Sequence, residues 1–399
     1  MTLNKKRNTI SFGEAVDATM QLARPLGTCT VELSDSLGRI LAEDVFSDRD
    51  IPPFNKSAMD GFACRRENLG EVLTVLETVP AGALPTHSVG ACQCTRIMTG
   101  AMVPEGADVV IRFEDTENSG PDQVRFTGRS TQDNICLQGE DGEAGIRVLT
   151  RGTRLGAAHV AILASVGQSR PCVYRRPRVG IIATGDELVE PSQTPGPGQI
   201  RNSNGYQLST QTRAMGAIPD TVRLAGDTHK DLDAAFKEAT AHNNVVLLSG
   251  GVSQGDFDLV PEIMTANGVE ILYDRISIKP GRPTTCGVTE GVVCFGLAGN
   301  PVATFVMFEI LVKPFLFALM GHEFHPPALL LPLEEDLKQR HKDRDMWVPV
   351  SISEEGGISP VSYHGSAHFL ALALADGLAL MKAGSTVAAK GTTIPVRLL

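Results

Sequence analysis

Val245–Asp258 reads VVLLSGGVSQGDFD, and the fold of the chain turns on it. Its first four residues are apolar and β-branched-rich, the pattern of a strand buried on both faces of a parallel sheet. Ser249, Gly250 and Gly251 break the run, and Gly255-Asp256 makes a second turn. Glycines at the carboxyl end of such a strand let backbone N–H groups converge on an anion. A following helix start adds the positive end of its dipole. A plain strand–turn–helix corner has the same composition, so this stretch alone leaves both readings open.

A second corner lies upstream. Arg178–Leu188, RVGIIATGDEL, is again an apolar run ended by a hydroxyl residue and glycine, Thr184-Gly185, and then by two acids. Two such turns in one sheet would set Asp186, Glu187, Asp256 and Asp258 along its carboxyl edge, where open α/β sheets bind ligands. A glycine cradle with carboxylates suits a phosphate held together with a divalent cation, which prefers hard oxygen ligands.

The surrounding chain alternates strand and helix. Strand Val179–Ala183 leads to a helix near Gly205–Met215, with Asn202, Ser203 and Asn204 as cap candidates. Strand-like Thr221–Ala225 precedes Thr228-x-x-Asp231, which opens a helix through DLDAAFKEATA. Helix Leu259–Asn267, strand-like Glu270–Ile278 and strand Val292–Leu297 follow. Gly299-Asn300-Pro301 then starts a long apolar helix reaching about Leu319. This alternation predicts a doubly wound α/β domain with a mainly parallel sheet.

On either side the pattern changes. Ser11 and Glu14 form a capping box ahead of an amphipathic helix. Strand-like Cys29–Leu33 precedes DIPPFNKSAMDGFA (Asp50–Ala63), whose prolines exclude core helix or central strand. Met59-Asp60-Gly61 reads as a turn presenting a carboxylate, or simply as a surface turn. From Val72 to about Val124, short strands and Gly/Pro turns indicate a compact β-module. Thr99-Gly100 ends one of its strands, and Gly139-Glu140-Asp141 sits in a polar, glycine-rich stretch. Helical periodicity resumes at Gly156–Val166, so the β-module reads as an insertion. Arg175–Pro177 reads as a linker. Beyond Gly321, HPPALLLPLEED marks another boundary, and WVPVSIS, DGLALM and TTIPVRLL predict a small β-barrel or sandwich.

Composition narrows the function classes. The chain has 399 residues, 42% of them hydrophobic, and a formal net charge of −10. That charge argues against nucleic-acid or anionic-membrane binding. No uninterrupted apolar run reaches the ~20 residues of a membrane span; Phe305–Leu319 comes nearest and is broken by Glu309, Lys313 and Pro314. The N-terminus lacks a signal-peptide pattern, which makes a cytoplasmic location the expectation. Eight cysteines without a CxxC pair read as reduced, mostly buried thiols. His322–His325 and His364–His368 have helical spacing but no acid or cysteine completing a zinc set, and read as structural or surface residues.

An anionic ligand needs a local basic patch, and Lys279-Pro280-Gly281-Arg282-Pro283 supplies two cations on a proline-stiffened turn. The arginine can grip an oxyanion bidentately and the lysine as a point charge. GGVSQGD lacks the lysine and terminal hydroxyl of a P-loop, and no catalytic triad or GxGxxG fingerprint occurs. The residues therefore indicate an enzyme or binding protein for a phosphorylated ligand, with metal assistance.

Seven stretches in this order carry a family resemblance: PPFNKSAMDGFA, TGAMVPEGADVV, RVGIIATGDELV, GQIRNSNGYQL, LLSGGVSQGDFD, KPGRP and GNPVATFVMFEI. They resemble the molybdopterin molybdenumtransferase family (MoeA, and the E domain of gephyrin) over about residues 10–320. The resemblance implies a multidomain α/β plus β fold. Its parts are an elongated N-terminal piece (1–50 and 142–176), an inserted β-domain (51–141), a MogA-like, molybdopterin-binding α/β domain (177–325) and a C-terminal β-barrel (326–399). It implies a homodimer with the active site between subunits. The implied reaction inserts molybdate into adenylylated molybdopterin with release of AMP and needs Mg²⁺.

Carried onto these residues, Asp186, Glu187, Asp227 and Asp256 are expected to position Mg²⁺ and the attacking oxygen, with Glu187, Asp227 and Asp256 catalytic. Gly250, Gly251 and Ser253 are expected to cradle the substrate phosphate, with Thr184, Gly185, Ser249, Gly299, Asn300 and Pro301 beside them. Lys279 and Arg282, with Arg344 and Ser366, are expected to hold molybdate. Asp60, Thr99 and Asp141 would reach in from the partner subunit, Asp60 and Asp141 as catalytic groups. Implied protein partners are the molybdopterin adenylyltransferase and acceptor apo-molybdoenzymes.

Several positions depart from the family's usual residues: Asn55 and Asn244 stand for aspartates, Cys136-Leu137-Gln138 for an arginine-bearing stretch, Ala298 for proline, and Arg282 for lysine. These departures weaken the placement of Asp141 most. A non-catalytic, gephyrin-like scaffold or a paralogue that binds molybdopterin without turnover is the competing reading. An adenylyltransferase, which has the α/β domain alone, fits less well.

Overall fold

The computed structural model describes residues 9–251, 259–361 and 369–399. Ser253, Asp256, Asp258, His364, Ser366 and His368 lie outside the described residues.

The sheet built around Val245–Ser249 has six strands. In spatial order they are Ile218–Ala225, Arg178–Thr184, Val245–Ser249, Val292–Leu297, Thr285–Thr289 and Glu270–Tyr273. The first four run parallel; Thr285–Thr289 is antiparallel to both its neighbours. Every residue of Val245–Ser249 is buried, because helices cover both faces. Val245 and Leu247 join one core with Leu208, Phe295 and Val302. Val246 and Leu248 join another with Leu232, Phe236 and Ile263. Alternate side chains of one strand thus enter different cores, the mark of a doubly wound domain.

Helix caps follow the sequence reading. Thr228 caps helix His229–His242 by accepting from the Asp231 N–H. The helix Asn204–Ala214 instead uses Asn202, whose Oδ1 accepts from the Gly205 N–H at 2.9 Å. Ser203 makes no side-chain cap bond.

Glu270–Ile278 is two strands rather than one. Glu270–Tyr273 stays in the α/β sheet, whereas Ile276–Lys279 leaves it and pairs in parallel with Ile10–Ser11 and with Asp345–Ile352. Ile276 and Ile278 are fully buried and share the core of Val245, Leu247 and Phe295, which Trp347 and Leu378 of the C-terminal strands also enter. The chain then forms the hairpin Thr285–Thr289 and Val292–Leu297 through Glu290-Gly291, both with positive φ, as a two-residue hairpin turn requires.

The C-terminal strands Ala328–Pro332, Asp345–Ile352, Ile358–Pro360, Gly377–Met381 and Thr393–Leu398 form an antiparallel sheet. A Leu333–Ile358 bridge joins its two ends. ALLLP, within the proline-rich stretch that marks the boundary, is the first strand of this sheet and pairs with Thr393–Leu398. Arg397 Nη1 donates to the Glu309 carbonyl at 2.8 Å and its guanidinium lies over the Trp347 ring, fixing this domain to the long helical segment.

That segment, Pro301–Leu319, has 19 residues and passes by length and composition for a membrane span. Its apolar window is 78% buried inside the protein, packed on the α/β sheet. Glu309, at its middle, pairs with Lys313 at 2.7 Å and accepts from Gln211 at 2.9 Å.

Toward the N-terminus, Ser11 and Glu14 make the expected capping box of helix Phe12–Gln21. Val45–Phe46 pairs with Arg147–Leu149, and Ile51 bridges Gly142, so the chain leaves and returns at one place. Between them stands a six-stranded sheet in the order Val109–Arg112, Gly61–Cys64, Gln93–Ile97, Val72–Val79, Gln123–Phe126 and Thr116–Gly120. All eight cysteines are free thiols: four are buried, three half-buried, and Cys92 is exposed.

Candidate functional site

The chain passes from Arg178–Thr184 out to the edge strand Ile218–Ala225, then crosses back to Val245–Ser249 on the other side. The reversal leaves a crevice beyond the carboxyl ends of Arg178–Thr184 and Val245–Ser249, where open sheets bind ligands. Both corners sit there side by side, since Ala183 registers with Ser249. A cavity of about 1000 Å³ opens over them, lined among others by Thr184, Gly185, Glu187, Asp227, Ser249, Gly250, Gly251, Gly299, Asn300 and Pro301. Ten of the residues singled out from sequence therefore share one wall.

Close backbone packing makes the corner possible. Gly250 has φ +105°, and a Cβ there would meet the Thr184 carbonyl oxygen at 2.5 Å. The two strand ends can touch only because that side chain is absent. Asn204, the first residue of its helix, ties the crevice from above. Its Nδ2 donates to Ser249 Oγ at 2.8 Å and to the Gly299 carbonyl at 2.7 Å. Its Oδ1 is buried and has no hydrogen-bond partner. In the sequence Asn204 reads as a cap candidate, and its place in the GQIRNSNGYQL motif is the one signal of a further role.

The acids divide by role. Asp227 accepts from Thr184 Oγ1 at 2.8 Å and from the Asp186 N–H at 3.3 Å, while Asp186 Oδ1 accepts from the Asp227 N–H at 2.9 Å. Asp186 is committed to this loop clasp and does not line the cavity, unlike Glu187 and Asp227. Among the described residues no three His, Cys, Asp or Glu side chains cluster to hold a metal ion. Two carboxylates on one wall nonetheless fit Mg²⁺, which binds through one or two carboxylates plus substrate phosphates.

The basic patch lies next door. A second cleft of about 1120 Å³ shares Pro283, Ala298 and Asn300 with the first and is lined by Lys279, Arg282, Lys338, Arg340, His341 and Arg344. Pairing of Ile276–Lys279 with Asp345–Ile352, in which Lys279 registers with Met346, brings Arg344 to the KPGRP turn. The basic turn marks Lys279 and Arg282 in the sequence, and the family resemblance adds Arg344; Lys338, at the end of the short strand Leu337–Lys338, and Arg340 and His341 after it stand in an unremarkable polar stretch that gives no signal. Glu335 is the single acid among the residues lining this cleft.

Asp60, Thr99 and Asp141 line neither cleft of this chain. Asp60 and Thr99 meet because Gly61 registers with Ile97 in the inserted sheet. Asp60 Oδ1 accepts from the Thr99 N–H at 2.6 Å and its hydroxyl at 2.7 Å, and these bonds hold its pKa below the usual carboxylate value. Asp141 lines a third cleft, of about 530 Å³, with Arg49, Asp50, Lys56 and Cys136. The unusual residues there fit one another. Asn55 Oδ1 accepts from the Gln138 N–H at 2.8 Å, and Gln138 Nε2 donates to Asp50 at 2.7 Å. Asn244 likewise closes a backbone bond, accepting from the Arg178 N–H at 2.9 Å.

Family models match almost the whole chain. The MoeA N-terminal region (domain I and II) covers residues 10–167, the probable molybdopterin binding domain 180–318, and the MoeA C-terminal region (domain IV) 331–399. The molybdopterin molybdenumtransferase of Bacillus subtilis is 35% identical over 99% of this chain and 95% of its own length. This chain belongs to the MoeA family. Another relative, the molybdopterin molybdenumtransferase of Staphylococcus epidermidis, is 35% identical over 98% of this chain and 96% of its own length. The molybdopterin biosynthesis MoeA protein of Pyrococcus horikoshii is 30% identical, with a TM-score of 0.82 over 98% of this chain and 99% of that one. The MoeA domains thus account for both the α/β crevice and the C-terminal sheet that walls its basic neighbour.

Proposed function

We propose that this chain acts in molybdenum cofactor biosynthesis, transferring molybdenum from molybdate to the dithiolene of adenylylated molybdopterin with release of AMP and the help of Mg²⁺. The observation that carries this reading is the shared wall at Pro283, Ala298 and Asn300 between a glycine-lined crevice and a cation-lined cleft. A phosphorylated organic substrate and a tetrahedral dianion need such adjoining sites. Activity of the curated relatives, named molybdopterin molybdenumtransferases, supports the same reaction class.

In this reading Gly251 and the start of helix Asn204–Ala214 hold the phosphate oxygens through backbone donors, and Gly250, whose own N–H donates to the Leu297 carbonyl at 3.2 Å, lets the turn approach them closely. Thr184 and Asp227 fix the corner, and Asn204 keeps the two glycine turns together. Glu187 and Asp227 would hold Mg²⁺, which supplies Lewis-acid polarisation of the phosphoanhydride. Lys279, Arg282 and Arg344 hold molybdate beside the dithiolene. Ser253, Asp256 and Ser366 belong to the same reading from outside the described residues. Asp60 with Thr99, and Asp141, would complete the site from a second copy in a homodimer.

The experiment incubates purified protein with adenylylated molybdopterin, Mg²⁺ and molybdate, and measures AMP release and pterin-bound molybdenum. Glu187→Gln should fold normally and form no cofactor. Near-normal turnover by that variant rejects the role given to Glu187, and absence of both products with the wild type rejects the reaction.

A further inference from the structure

Building on that reading, we infer that Phe369 is an aromatic shelf on which a flat heteroaromatic ring of the substrate stacks. Among the described residues lining the crevice, Phe369 alone comes from the C-terminal domain. It begins the short helix Phe369–Leu374, which rests against helix Pro301–Met307 and strand Asp345–Ile352. Ala371 of that helix is buried, yet Phe369 stays 45% exposed. Among the described residues no other ring lies against it.

An uncovered phenyl ring at the mouth of a cavity forfeits apolar burial unless a ligand covers it. The crevice is also divided in character. Pro283 and Ala298 give the wall shared with the second cleft apolar surface beside Asn300, and Pro301 extends it, while Thr184, Glu187 and Asp227 make the strand corners polar. That division fits a ligand with an anionic group at the corners and a planar ring at Phe369. Aromatic side chains hold heteroaromatic rings face to face and do so with little regard to ring identity. A purine and a pterin both have this chemistry, and the test separates them.

Phe369→Ala, Phe369→Leu and Phe369→Trp are made in the full-length protein and titrated calorimetrically with AMP and, separately, with molybdopterin. The alanine and leucine variants should bind the stacking probe roughly tenfold more weakly, with unchanged melting temperature. The tryptophan variant should bind as the wild type does, and its indole fluorescence should fall on binding. Loss for AMP alone assigns the purine to Phe369; loss for molybdopterin alone assigns the pterin. Leucine keeps bulk without a π face, so it decides the matter if the alanine variant fails to fold. A leucine variant binding both probes like the wild type overturns stacking, as does altered subunit association with unchanged affinity. Wild-type protein that binds neither probe overturns this inference together with the proposed function, whereas unaffected variants of a binding wild type overturn stacking alone.

Discussion

Replacing Asn204 by alanine should loosen both glycine corners at once. Its Nδ2 bridges Ser249 Oγ and the Gly299 carbonyl, at 2.8 and 2.7 Å. Each neutral hydrogen bond contributes ~0.5–1.5 kcal/mol net, so losing both costs about 1–3 kcal/mol. Water can reach the Gly299 carbonyl at the crevice wall and recover part of this, which favours the lower half of that range. If the loss falls on the bound state, about 1.4 kcal/mol is a tenfold weaker affinity for AMP. Asn204→Asp should do at least as much harm. Its carboxylate can accept from Ser249 but sets an anion against the Gly299 carbonyl and against the phosphate. Calorimetric titration with AMP, alongside differential scanning fluorimetry, reads both quantities. An alanine variant with wild-type affinity and wild-type melting temperature refutes the idea that Asn204 holds the crevice.

Other consequences follow from the same geometry. Lys279→Ala with Arg282→Ala should raise the molybdate concentration needed for half activity while leaving AMP affinity near normal; an unchanged value rejects the oxyanion role of that turn. Burial pushes the Cys286 and Cys294 thiols from an ordinary 9.0 up to about 12. The unfolded chain therefore releases those protons first, and stability should fall as pH rises from about 9 toward about 12. At neutral pH Cys92 should be the first thiol modified by iodoacetamide, which peptide mapping checks; equal labelling of Cys286 contradicts the burial. Glu309→Ala strands the half-buried Lys313 ammonium and the Gln211 amide, and should cost ~3 kcal/mol, seen as a lower denaturation midpoint.

The α/β domain was legible because its signals are local. Apolar runs of Val245–Leu248 and Val292–Leu297 end in glycines, and Thr228 with Asp231 announces a helix start. The split of Glu270–Ile278 was not legible, since Ile276 and Ile278 are as apolar as the residues before them. Only their pairing with Ile10–Ser11 and Asp345–Ile352, distant in sequence, shows that they serve another sheet. Thr285–Thr289 escaped notice for a related reason. Its turn residues Glu290-Gly291 lack the Asn-Gly or Asp-Gly signature of a hairpin, although their positive φ values make one.

At the site, residues at glycine corners and in the KPGRP turn stood out from sequence, and ten of them line one crevice. Those missed act through the third dimension. Asn204 looks like a cap until its amide is seen spanning two strand ends, and Phe369 sits in an ordinary apolar run. Lys338 and Arg340, with His341 beside them, join Lys279 and Arg282 in one cleft only because Lys279 registers beside Met346. Asp186 stands apart from its neighbours: its Oδ1 accepts from the Asp227 N–H at 2.9 Å, and it is not among the residues lining the crevice.

Anomalous diffraction from crystals of this protein grown with AMP and tungstate, an isosteric heavy analogue of molybdate, tests the adjoining sites most directly. The tungsten peak should lie in the cleft bearing Lys279, Arg282 and Arg344, with the AMP phosphate at the Ser249–Gly251 corner across the wall of Pro283, Ala298 and Asn300. Tungsten bound elsewhere while that cleft holds none, or AMP seated away from the glycine corner, contradicts the account.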